Sequence, residues 1–449
     1  MHVVILGNGI SGVTAARFIR KLSDHRITVI SSESRYFYSR TALMYIYMGQ
    51  MRLEDTQPYA DDFWEKNRID LLFDHVTSIN FIQKSIQFLS KNEISYDKLI
   101  LAVGSAINTF NWPGQSLNGV SGMYSLQDLQ RIDQASNRLD RAVIVGGGLI
   151  GIELAEMLSS RNIPVTFLVR EKSFWDIVLP EEESRMINQH LIEHGIDLRL
   201  ETELRSIEDD GQGNVAAVHT SQNERIPCGF VGLTAGVHPN VDWLRDTQLE
   251  IQRGILVDEH LRTNLEDVYA IGDCAELRRT DPGRRSIEPV WYTGRMMGEV
   301  AAHNVCGAQV SYHPGYWFNS AKFLDIEYQV YGDIPPIIPP ELETVCWIHS
   351  AGNKSIRLVW RKSDHVLTGV NLLGVRYRQE VVMHWLEHQS TIQQVMSLLD
   401  LANFDPEFYP RYEDGVRQLY AVKSGQVIKS ASRRSSDAVW HFLKSSENA

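Results

Sequence analysis

Two glycine-rich turns constrain what this chain can fold into more than any other feature of its sequence. The first, GNGISG at residues 7–12, follows the apolar run His2–Leu6. The second, GGGLIG at residues 146–151, follows the apolar run Ala142–Val145. Each turn also opens a stretch with helical character. A strand, a G-x-G-x-x-G turn and a helix in this order indicate a dinucleotide-binding unit.

The spacing of the glycines has a physical reason. The first glycine makes a tight turn, the second lets backbone approach a pyrophosphate, and the third lets the helix pack on the strand. The free N–H groups and the positive dipole end of the helix then face the phosphates. Two such units in one chain predict two bound nucleotides. The residues that we expect at the phosphates are Gly7, Gly9, Ile10, Ser11, Gly12, Gly146, Gly148, Ile150 and Gly151.

Two acidic residues stand where sugar hydroxyls of a nucleotide can be bound. Glu33 follows the second predicted strand, about 20 residues after Gly12, which suits a carboxylate that accepts hydrogen bonds from a ribose. The alternative is a solvated glutamate in a turn. Asp273 follows the predicted strand at residues 268–272, and α/β sheets bind ligands at the carboxyl ends of their strands. Because an unpaired buried carboxylate is costly, we expect a sugar hydroxyl at Asp273.

Length and composition narrow the class of protein. At 449 residues the chain is expected to form about two to four domains. Its net charge of −12 argues against a nucleic-acid partner. No run of about 18 apolar residues occurs, so we expect no membrane span. Because the first six residues lead directly into a strand, we expect no signal peptide and predict a cytoplasmic location.

The four cysteines have no spacing that indicates chemistry. They are Cys228, Cys274, Cys306 and Cys346, and no two of them form a C-x-x-C or C-x4-C pair. A disulfide framework, a zinc site and a local redox pair are therefore disfavoured. We expect buried or surface thiols without a role, and no metal site.

These motifs stand in an order that resembles the flavoproteins with two dinucleotide-binding domains. That family includes the pyridine nucleotide-disulfide oxidoreductases and the FAD subunits of ferredoxin, rubredoxin and nitrite reductase type. Further matching segments are Tyr38–Leu43, Tyr96–Ser105, Thr234–Asn240, Thr263–Asp273 and Glu288–Tyr292. The resemblance implies that FAD binds at the first glycine turn and NAD(P)H at the second.

The resemblance also implies roles for individual residues. Glu33 would hold the FAD ribose, Asp273 would hold the ribityl chain, and Arg40 would lie near the flavin. Glu153, in the helix after the second turn, would lie near the nicotinamide as the working residue, the alternative being an acid on the helix surface. The other residues expected at the cofactors are Ala102, Gly104, Gly236, Gly272 and Trp291.

The same resemblance implies the architecture. We expect an α/β fold with two Rossmann-like dinucleotide-binding domains, the NAD domain being inserted in the FAD domain, and a C-terminal α+β interface domain. The expected boundaries are residues 1–112 and 245–315 for the FAD-binding domain, 113–244 for the NAD(P)-binding domain, 316–423 for the interface domain and 424–449 for a mobile tail. Val439–Leu443 is the part of the tail that could dock, but its composition favours mobility.

The interface domain is predicted to be rich in strands and then helical. Strands are expected at Glu327–Tyr331, Thr344–His349 and Ile356–Arg361, and helices at about 377–389 and 391–399. The segments Phe318–Phe323 and Leu401–Phe408 carry the resemblance here. In some members of the family this domain forms dimers, and in others it covers the flavin. The sequence therefore leaves open whether the protein is a homodimer or a monomer.

Two departures from the family bear on its chemistry. The single-cysteine members place a redox cysteine where this chain has Thr41. A hydroxyl cannot form a mixed disulfide, so disulfide reductase activity is not expected. Many relatives pair a lysine with the glutamate that corresponds to Glu153, and the lysine position falls at about Tyr45, so that pair is broken.

A third departure concerns the choice of nicotinamide cofactor. Relatives that prefer NADH carry an acid at the end of the second strand of the NAD unit, where this chain has Val169 followed by Arg170. An arginine there suits a 2′-phosphate. Glu171 and the lack of a second nearby arginine oppose this, so the sequence favours NADPH only slightly.

The function predicted is that of an FAD-dependent NAD(P)H oxidoreductase that passes hydride from nicotinamide to flavin and electrons on to an acceptor. An electron-carrier protein, a quinone and oxygen all stay open as that acceptor. The basic loop Arg278–Arg285 could steer a small acidic carrier, the alternative being an ordinary solvated loop. The alternative function is a redox-sensing flavoprotein module without steady turnover.

Overall fold

The apolar runs before the two glycine turns are buried strands in the computed structural model of this chain. The structure describes residues 1–137, 139–404, 410–431 and 436–445. These residues fall into two compact units. The first unit comprises residues 1–146, 154–165 and 204–314, and the second comprises 147–153, 166–203 and the chain from 315 onward. The domain boundaries expected from the sequence stay a prediction.

The strands are short, as is usual for sheets of this kind. Those before residue 122 are β1 (His2–Leu6), β2 (Arg26–Ser31), β3 (Ile69–Phe73), β4 (Val76–Asn80), β5 (Ser85–Phe88), β6 (Glu93–Ser95), β7 (Lys98–Leu101), β8 (Ser105–Ile107) and β9 (Val120–Ser121). The next are β10 (Ala142–Val145), β11 (Val165–Leu168), β12 (Asp197–Arg199), β13 (Leu204–Asp209), β14 (Val215–Thr220), β15 (Arg225–Pro227), β16 (Phe230–Leu233), β17 (Val237–Pro239), β18 (Ile255–Val257), β19 (Val268–Ala270) and β20 (Ala275–Leu277). The last are β21 (Phe318–Phe323), β22 (Ile326–Gly332), β23 (Leu342–Ile348), β24 (Ser355–Arg361) and β25 (Leu367–Leu373).

The helices of the described residues connect these strands or cover them. They are α1 (Ile10–Leu22), α2 (Leu43–Tyr47), α3 (Phe63–Lys66), α4 (Leu126–Ser136), α5 (Leu149–Ser160), α6 (Glu181–Glu193), α7 (Trp291–Val305), α8 (Gln379–Glu387), α9 (Ile392–Ala402), α10 (Glu413–Ser424) and α11 (Ser436–Ser445). The helices predicted at about 377–389 and 391–399 correspond to α8 and α9, and their ends differ from the predicted ones by one to three residues, as is usual for helix ends.

A parallel sheet of five strands forms the centre of the first unit. Its order is β19-β7-β1-β2-β3, and β1 pairs in parallel with both β2 and β7. Strands β1, β2, β7 and β19 are buried along nearly their whole length, as is usual in a parallel sheet that is covered on both faces. The edge strand β3 is partly exposed. The carboxyl ends of β1, β7 and β19 lie side by side, so the sheet brings together the turns that follow Leu6, Leu101 and Ala270. The predicted α/β fold is confirmed.

The strand before the second glycine turn also belongs to a parallel arrangement. Strand β10 pairs with β16, with Val145 opposite Leu233, and β16 pairs in parallel with β9. In the second unit β11 pairs in parallel with β12, with Leu168 opposite Arg199. Turn, helix and following strand therefore repeat the pattern of the first glycine turn.

An antiparallel sheet with helices forms most of the second unit. Its order is β21-β22-β25-β24-β23, and the three predicted strands coincide with β22, β23 and β24. The core between this sheet and α8 and α9 includes the fully buried Trp385 and the nearly buried Trp360. Residues 405–408 of the segment Leu401–Phe408 lie outside the described residues.

The start of α6 is fixed to this sheet by a buried ion pair. Arg357 on β24 is 1% exposed and Glu183 on α6 is 0% exposed, and their charged atoms lie 2.7 Å apart. Asn371 Nδ2 donates to the same carboxylate at 3.1 Å, and Arg357 also binds Glu182 at 2.8 Å. Charges buried this completely are retained only when they are paired and hydrogen-bonded.

Part of the stretch predicted as a tail is helical. Helix α11 spans Ser436–Ser445, and Val439 is buried in the core cluster of the C-terminal sheet and helices, with Phe442 and Leu443 packed against it. Residues 432–435 and 446–449 of this stretch lie outside the described residues. Among the helices of the described residues, none is both long and apolar enough to cross a membrane.

Candidate cofactor sites

The first glycine turn contains two glycines that close packing requires and one that faces open space. Gly7 has a φ of +116°, and a Cβ there would overlap the carbonyl oxygen of Ala102. A Cβ at Gly12 would overlap the carbonyl oxygen of Gly7. A Cβ at Gly9 would meet no atom within 4 Å. Open space at the middle glycine, at the N-terminus of α1, is the shape that a pyrophosphate needs.

Helix α7 lies against the first turn of α1, which contains Ile10 and Ser11. A Cβ at Gly294 would lie 2.6 Å from the Ser11 hydroxyl oxygen, and a Cβ at Gly272 would overlap the same atom. Trp291 is the first residue of α7 and is 38% exposed. The structure therefore brings three residues of the predicted set, Ile10, Ser11 and Gly272, together at the start of α1.

Asp273 is held at the carboxyl edge of the same sheet. The hydroxyl of Ser105 donates a hydrogen bond of 2.8 Å to Asp273 Oδ2. Ser105 follows a turn after β7 in which Gly104 has a φ of +69°. In the same turn the Ala102 N–H donates to the Leu6 carbonyl at 2.8 Å. Burial raises the pKa of Asp273, and Ser105 opposes that shift. A carboxylate in this setting gains from a further hydroxyl donor, as the ribityl role requires.

Glu33 and Arg40 form a two-pronged ion pair. Arg40 donates to both carboxylate oxygens of Glu33, at 2.6 and 3.1 Å. The Tyr38 hydroxyl and the Leu126 N–H also donate to this carboxylate, the latter at 3.0 Å. Burial acts to raise the pKa of Glu33, but these hydrogen bonds and the charge of Arg40 outweigh it, so the pKa lies below its usual value. A ribose hydroxyl at Glu33 would share the carboxylate with these donors.

The structure adds Ser105 and Tyr124 to the predicted site. The Tyr124 hydroxyl accepts from the Ser105 N–H at 2.9 Å, and the Arg40 guanidinium lies 4.3 Å from the centre of the Tyr124 ring. Arg40 also donates to the Tyr124 carbonyl. Ser105 is the last residue of a segment that matches the family, so Ser105 could have been predicted from the sequence. Tyr124 lies outside every motif, so the sequence contains no signal for it.

The second glycine turn has the same division of roles as the first. Gly146 has a φ of +113°, and a Cβ there would lie 2.7 Å from backbone atoms of Thr234 and Ala235. A Cβ at Gly148 would meet no atom within 4 Å. Ile150 and Gly151 lie in the first turn of α5. The open middle glycine again suits an approaching pyrophosphate.

The other residues predicted at the nicotinamide cofactor lie in well-formed local structure. Glu153 is half-buried on α5. Gly236 has a φ of +88° and adjoins the side chain of Asn108. Arg170 follows β11 and pairs with its neighbour Glu171 at 2.9 Å, with 71% of the arginine side chain exposed. Their roles at the nicotinamide cofactor stay predictions.

The cysteine next to Asp273 is unsuited to redox chemistry at the flavin. All four cysteines are free. Cys274 adjoins Asp273, but burial raises its pKa to about 12, and its thiol lies 3.3 Å from the Ile271 carbonyl oxygen as a hydrogen-bond donor. Thr41, at the family's cysteine position, is exposed, and its hydroxyl lies 3.1 Å from that of Ser39. A protonated buried thiol is a poor nucleophile.

The basic loop is less exposed than its sequence suggests. The Arg284 side chain is 5% exposed and pairs with Glu288, which is 6% exposed, with Nε 2.8 Å from Oε1. The expectation that Arg284 contributes to an exposed basic surface is therefore wrong, because four residues of loop fold the guanidinium back onto a buried carboxylate. Arg278, Arg279 and Arg285 are exposed.

The residues at the first turn fit FAD. The fit rests on the glycine cradle that a Cβ would fill and on the buried Asp273 carboxylate with its one serine donor. When bound, FAD supplies a group that takes hydride and releases electrons singly or in pairs.

Comparison with known proteins identifies the family. The model of the pyridine nucleotide-disulphide oxidoreductase family matches residues 1–299. The NADH-rubredoxin oxidoreductase of Clostridium acetobutylicum is 30% identical over 316 residues, which cover 69% of this chain and 76% of that protein. The assimilatory nitrate reductase electron transfer subunit of Bacillus subtilis is 27% identical over 317 residues, which cover 70% of this chain but 40% of that protein.

A solved structure shares the fold. The NAD-dependent persulfide reductase from A. fulgidus superimposes with a TM-score of 0.82 at 24% identity, over 94% of this chain and 83% of that one. At this identity the likeness concerns architecture alone. The glycine cradles, the paired carboxylates and the match over residues 1–299 agree with one another: this chain belongs to the pyridine nucleotide-disulphide oxidoreductase family and is an FAD-dependent NAD(P)H oxidoreductase.

Proposed function

We propose that this protein passes electrons from NAD(P)H through FAD to a small acidic electron-carrier protein without using a protein thiol. The observation that supports this most strongly is the combination of Thr41 at the cysteine position with the fully buried Cys274, whose pKa burial raises to about 12. The names of the relatives, which include rubredoxin reductases, agree with a carrier as acceptor.

In this proposal the residues at the first turn bind and orient FAD. The N–H groups at the start of α1 hold the pyrophosphate across the open face of Gly9. Asp273, positioned by Ser105, accepts from a ribityl hydroxyl. Glu33 holds Arg40 in place, and the guanidinium supplies a fixed positive charge beside the flavin. At the second turn, Glu153 lies near the nicotinamide.

The choice of nicotinamide cofactor is proposed to favour NADPH slightly. The support is Arg170 together with Val169, which stands where relatives that prefer NADH carry an acid. In the pair of Arg170 with Glu171 the arginine side chain is 71% exposed and the glutamate side chain is 20% exposed, and ion pairs at the surface contribute about 0–1 kcal/mol. A 2′-phosphate can therefore take the place of Glu171 at little cost, whereas Glu171 itself suits the ribose hydroxyls of NADH. Relatives named for a nucleotide are mostly NADH proteins, so both nucleotides must be compared.

The exposed arginines of the basic loop are the proposed contact for the carrier. Arg278, Arg279 and Arg285 form a local positive surface on a chain with a net charge of −12. Such a surface speeds encounter with an acidic partner at low salt. Arg284 is excluded because it is buried. Arg278 is paired with Glu250. The residues that steer an acidic carrier are therefore Arg279 and Arg285, which form no ion pair with the residues that the structure describes.

Carrier reduction at several salt concentrations tests this proposal. The variant Arg279→Glu with Arg285→Glu is expected to slow reduction of rubredoxin or a [2Fe–2S] ferredoxin at low salt and to flatten the salt dependence. Lys91→Glu with Arg205→Glu is the control, since both residues are exposed and the change in net charge is the same. Equal behaviour of the two variants contradicts the docking surface. Fast reduction by NAD(P)H with slow reoxidation by every acceptor would instead support a redox sensor.

A further inference from the structure

Two histidines and a carboxylate converge at a place that no cofactor motif includes. His190 and His194 lie one turn apart at the end of α6, and Asp325 lies in the two-residue turn between β21 and β22. The Nε2 atoms of the two histidines lie 2.6 and 3.6 Å from Asp325 Oδ1. One ligand atom from each of the three residues lies within 4.8 Å of the other two.

The tautomer of His194 places two hydrogen-bond acceptors, His194 Nε2 and the Asp325 carboxylate, opposite each other. His194 Nδ1 lies 2.8 Å from the carbonyl oxygen of His190. A carbonyl only accepts hydrogen bonds, so Nδ1 carries the proton. In the neutral ring Nε2 then presents a lone pair toward Asp325, whose carboxylate also only accepts. Such an arrangement is stabilised by a cation between the two groups.

His190 adds a second, independent observation. The residue is 7% exposed, and its Nε2 is fully buried yet has no hydrogen bond of acceptable geometry. The short distance to Asp325 Oδ1 therefore reflects proximity without the direction that a hydrogen bond needs.

We propose that His190, His194 and Asp325 bind a divalent transition-metal ion, of which Zn²⁺ is the best match. Two imidazoles and one carboxylate suit zinc, whereas Mg²⁺ and Ca²⁺ prefer sets of oxygen ligands. A solvent molecule would complete the tetrahedron. The hydrogen bond from His194 Nδ1 to a backbone carbonyl is the support that metal-bound histidines usually have.

The metal would join two elements of the second unit. The buried pair of Glu183 and Arg357 already fixes the start of α6 to β24. A metal at His190, His194 and Asp325 would fix the end of the same helix to the turn between β21 and β22. This role is structural, does not depend on the electron acceptor, and predicts higher thermal stability with metal bound.

Zinc binding by the untagged, FAD-loaded protein tests the proposal. After equilibrium dialysis against buffered Zn²⁺, metal analysis is expected to find one zinc per chain above the background of His194→Gln and Asp325→Asn. Each of these variants is expected to weaken binding about tenfold or more. FAD content, measured in parallel, reports that each variant is folded.

The chain offers a matched control on another helix. His384 and His388 on α8 have the same spacing, with ring centres 3.9 Å apart, and His388 Nδ1 also lies near the His384 carbonyl, at 3.0 Å. The metal-ligand cluster found among the described residues does not include them. His388→Gln is therefore expected to bind zinc as the wild type does. Zinc binding that is absent, unchanged in His194→Gln, or equally reduced in His388→Gln would overturn the proposal.

Discussion

The hydroxyl of Ser105 donates a 2.8 Å hydrogen bond to the carboxylate of Asp273. These two residues follow β7 and β19, which are neighbours in the first sheet. The bond therefore fixes the orientation of a carboxylate that the sheet presents at its carboxyl edge, where FAD is expected. The bond connects two segments that are far apart in the sequence, Tyr96–Ser105 and Thr263–Asp273.

Removal of this bond is expected to weaken FAD binding. Ser105→Ala should raise the dissociation constant of FAD about ten- to a hundredfold, since a hydrogen bond to a charged group contributes about 1.5–3 kcal/mol. Asp273→Ala should lose more. Fluorescence titration of the FAD-free protein measures both. Ser78→Ala, at an exposed serine, should bind FAD as the wild type does, and an unchanged affinity in Ser105→Ala contradicts the assigned role.

Two glycines of the first turn should separate folding from cofactor binding. A Cβ at Gly9 has open space, so Gly9→Ala should leave the melting temperature of the FAD-free protein nearly unchanged but weaken FAD binding. A Cβ at Gly12 overlaps the Gly7 carbonyl, so Gly12→Ala should destabilise the fold by about 1–3 kcal/mol. Calorimetry with and without FAD distinguishes the two effects. Normal FAD binding by Gly9→Ala would show that the pyrophosphate lies elsewhere.

The Glu33–Arg40 pair predicts a pH dependence of stability. The pKa of Glu33 in the folded protein lies below its usual value of 4.5. Between these two pKa values the unfolded chain therefore binds more protons than the folded protein. The stability from Glu33 is therefore full above about pH 4.5 and is lost as the pH falls through the folded pKa. Glu33→Gln should lower the free energy of unfolding by about 2 kcal/mol at pH 7. Denaturant unfolding should show that this difference shrinks in acid, and a constant difference would contradict the pair's role.

Arg170 should affect the two nicotinamide cofactors unequally. Arg170→Ala is expected to lower kcat/KM for NADPH about tenfold relative to NADH, because a charged contact to the 2′-phosphate is lost. Steady-state rates with both nucleotides measure the ratio. Arg185→Ala, an exposed arginine on α6, should leave it unchanged. Equal loss with both nucleotides would remove the argument for NADPH.

Adjacent arginines of the basic loop should behave differently. Arg284→Met leaves the buried carboxylate of Glu288 unpaired and should destabilise the protein by about 3 kcal/mol. Arg285→Met, at an exposed residue, should unfold as the wild type does but slow carrier reduction at low salt. Thermal unfolding and carrier reduction together test this pair. Similar stability of both variants would contradict the burial of Arg284.

The sequence predicted those parts of the site that local patterns encode. The glycine turns, the strands before them and the position of Asp273 after β19 follow from apolar runs and turn residues that lie within a few positions of one another. The confirmed strands β22, β23 and β24 are of the same kind. Here local preference and the global fold agree.

The remaining features depend on contacts between distant residues. Tyr124 reaches Ser105 and Arg40 from a segment without a motif. Arg284 is buried by the fold of the basic loop, and no periodic sequence pattern encodes that fold. His190 and Asp325 meet only because α6 packs beside the turn between β21 and β22, and their separation in sequence exceeds any metal-binding spacing rule.

An anaerobic titration of the FAD-loaded protein with NADPH and with NADH tests whether electrons pass from the flavin to the acceptor without a redox-active thiol. Flavin absorbance should bleach fully at one equivalent of nucleotide per FAD, because the flavin is then the only centre that accepts two electrons. A requirement for two equivalents per FAD would show a second, disulfide-type centre and contradict the account. Failure of either nucleotide to bleach the flavin would contradict hydride entry at the second glycine turn.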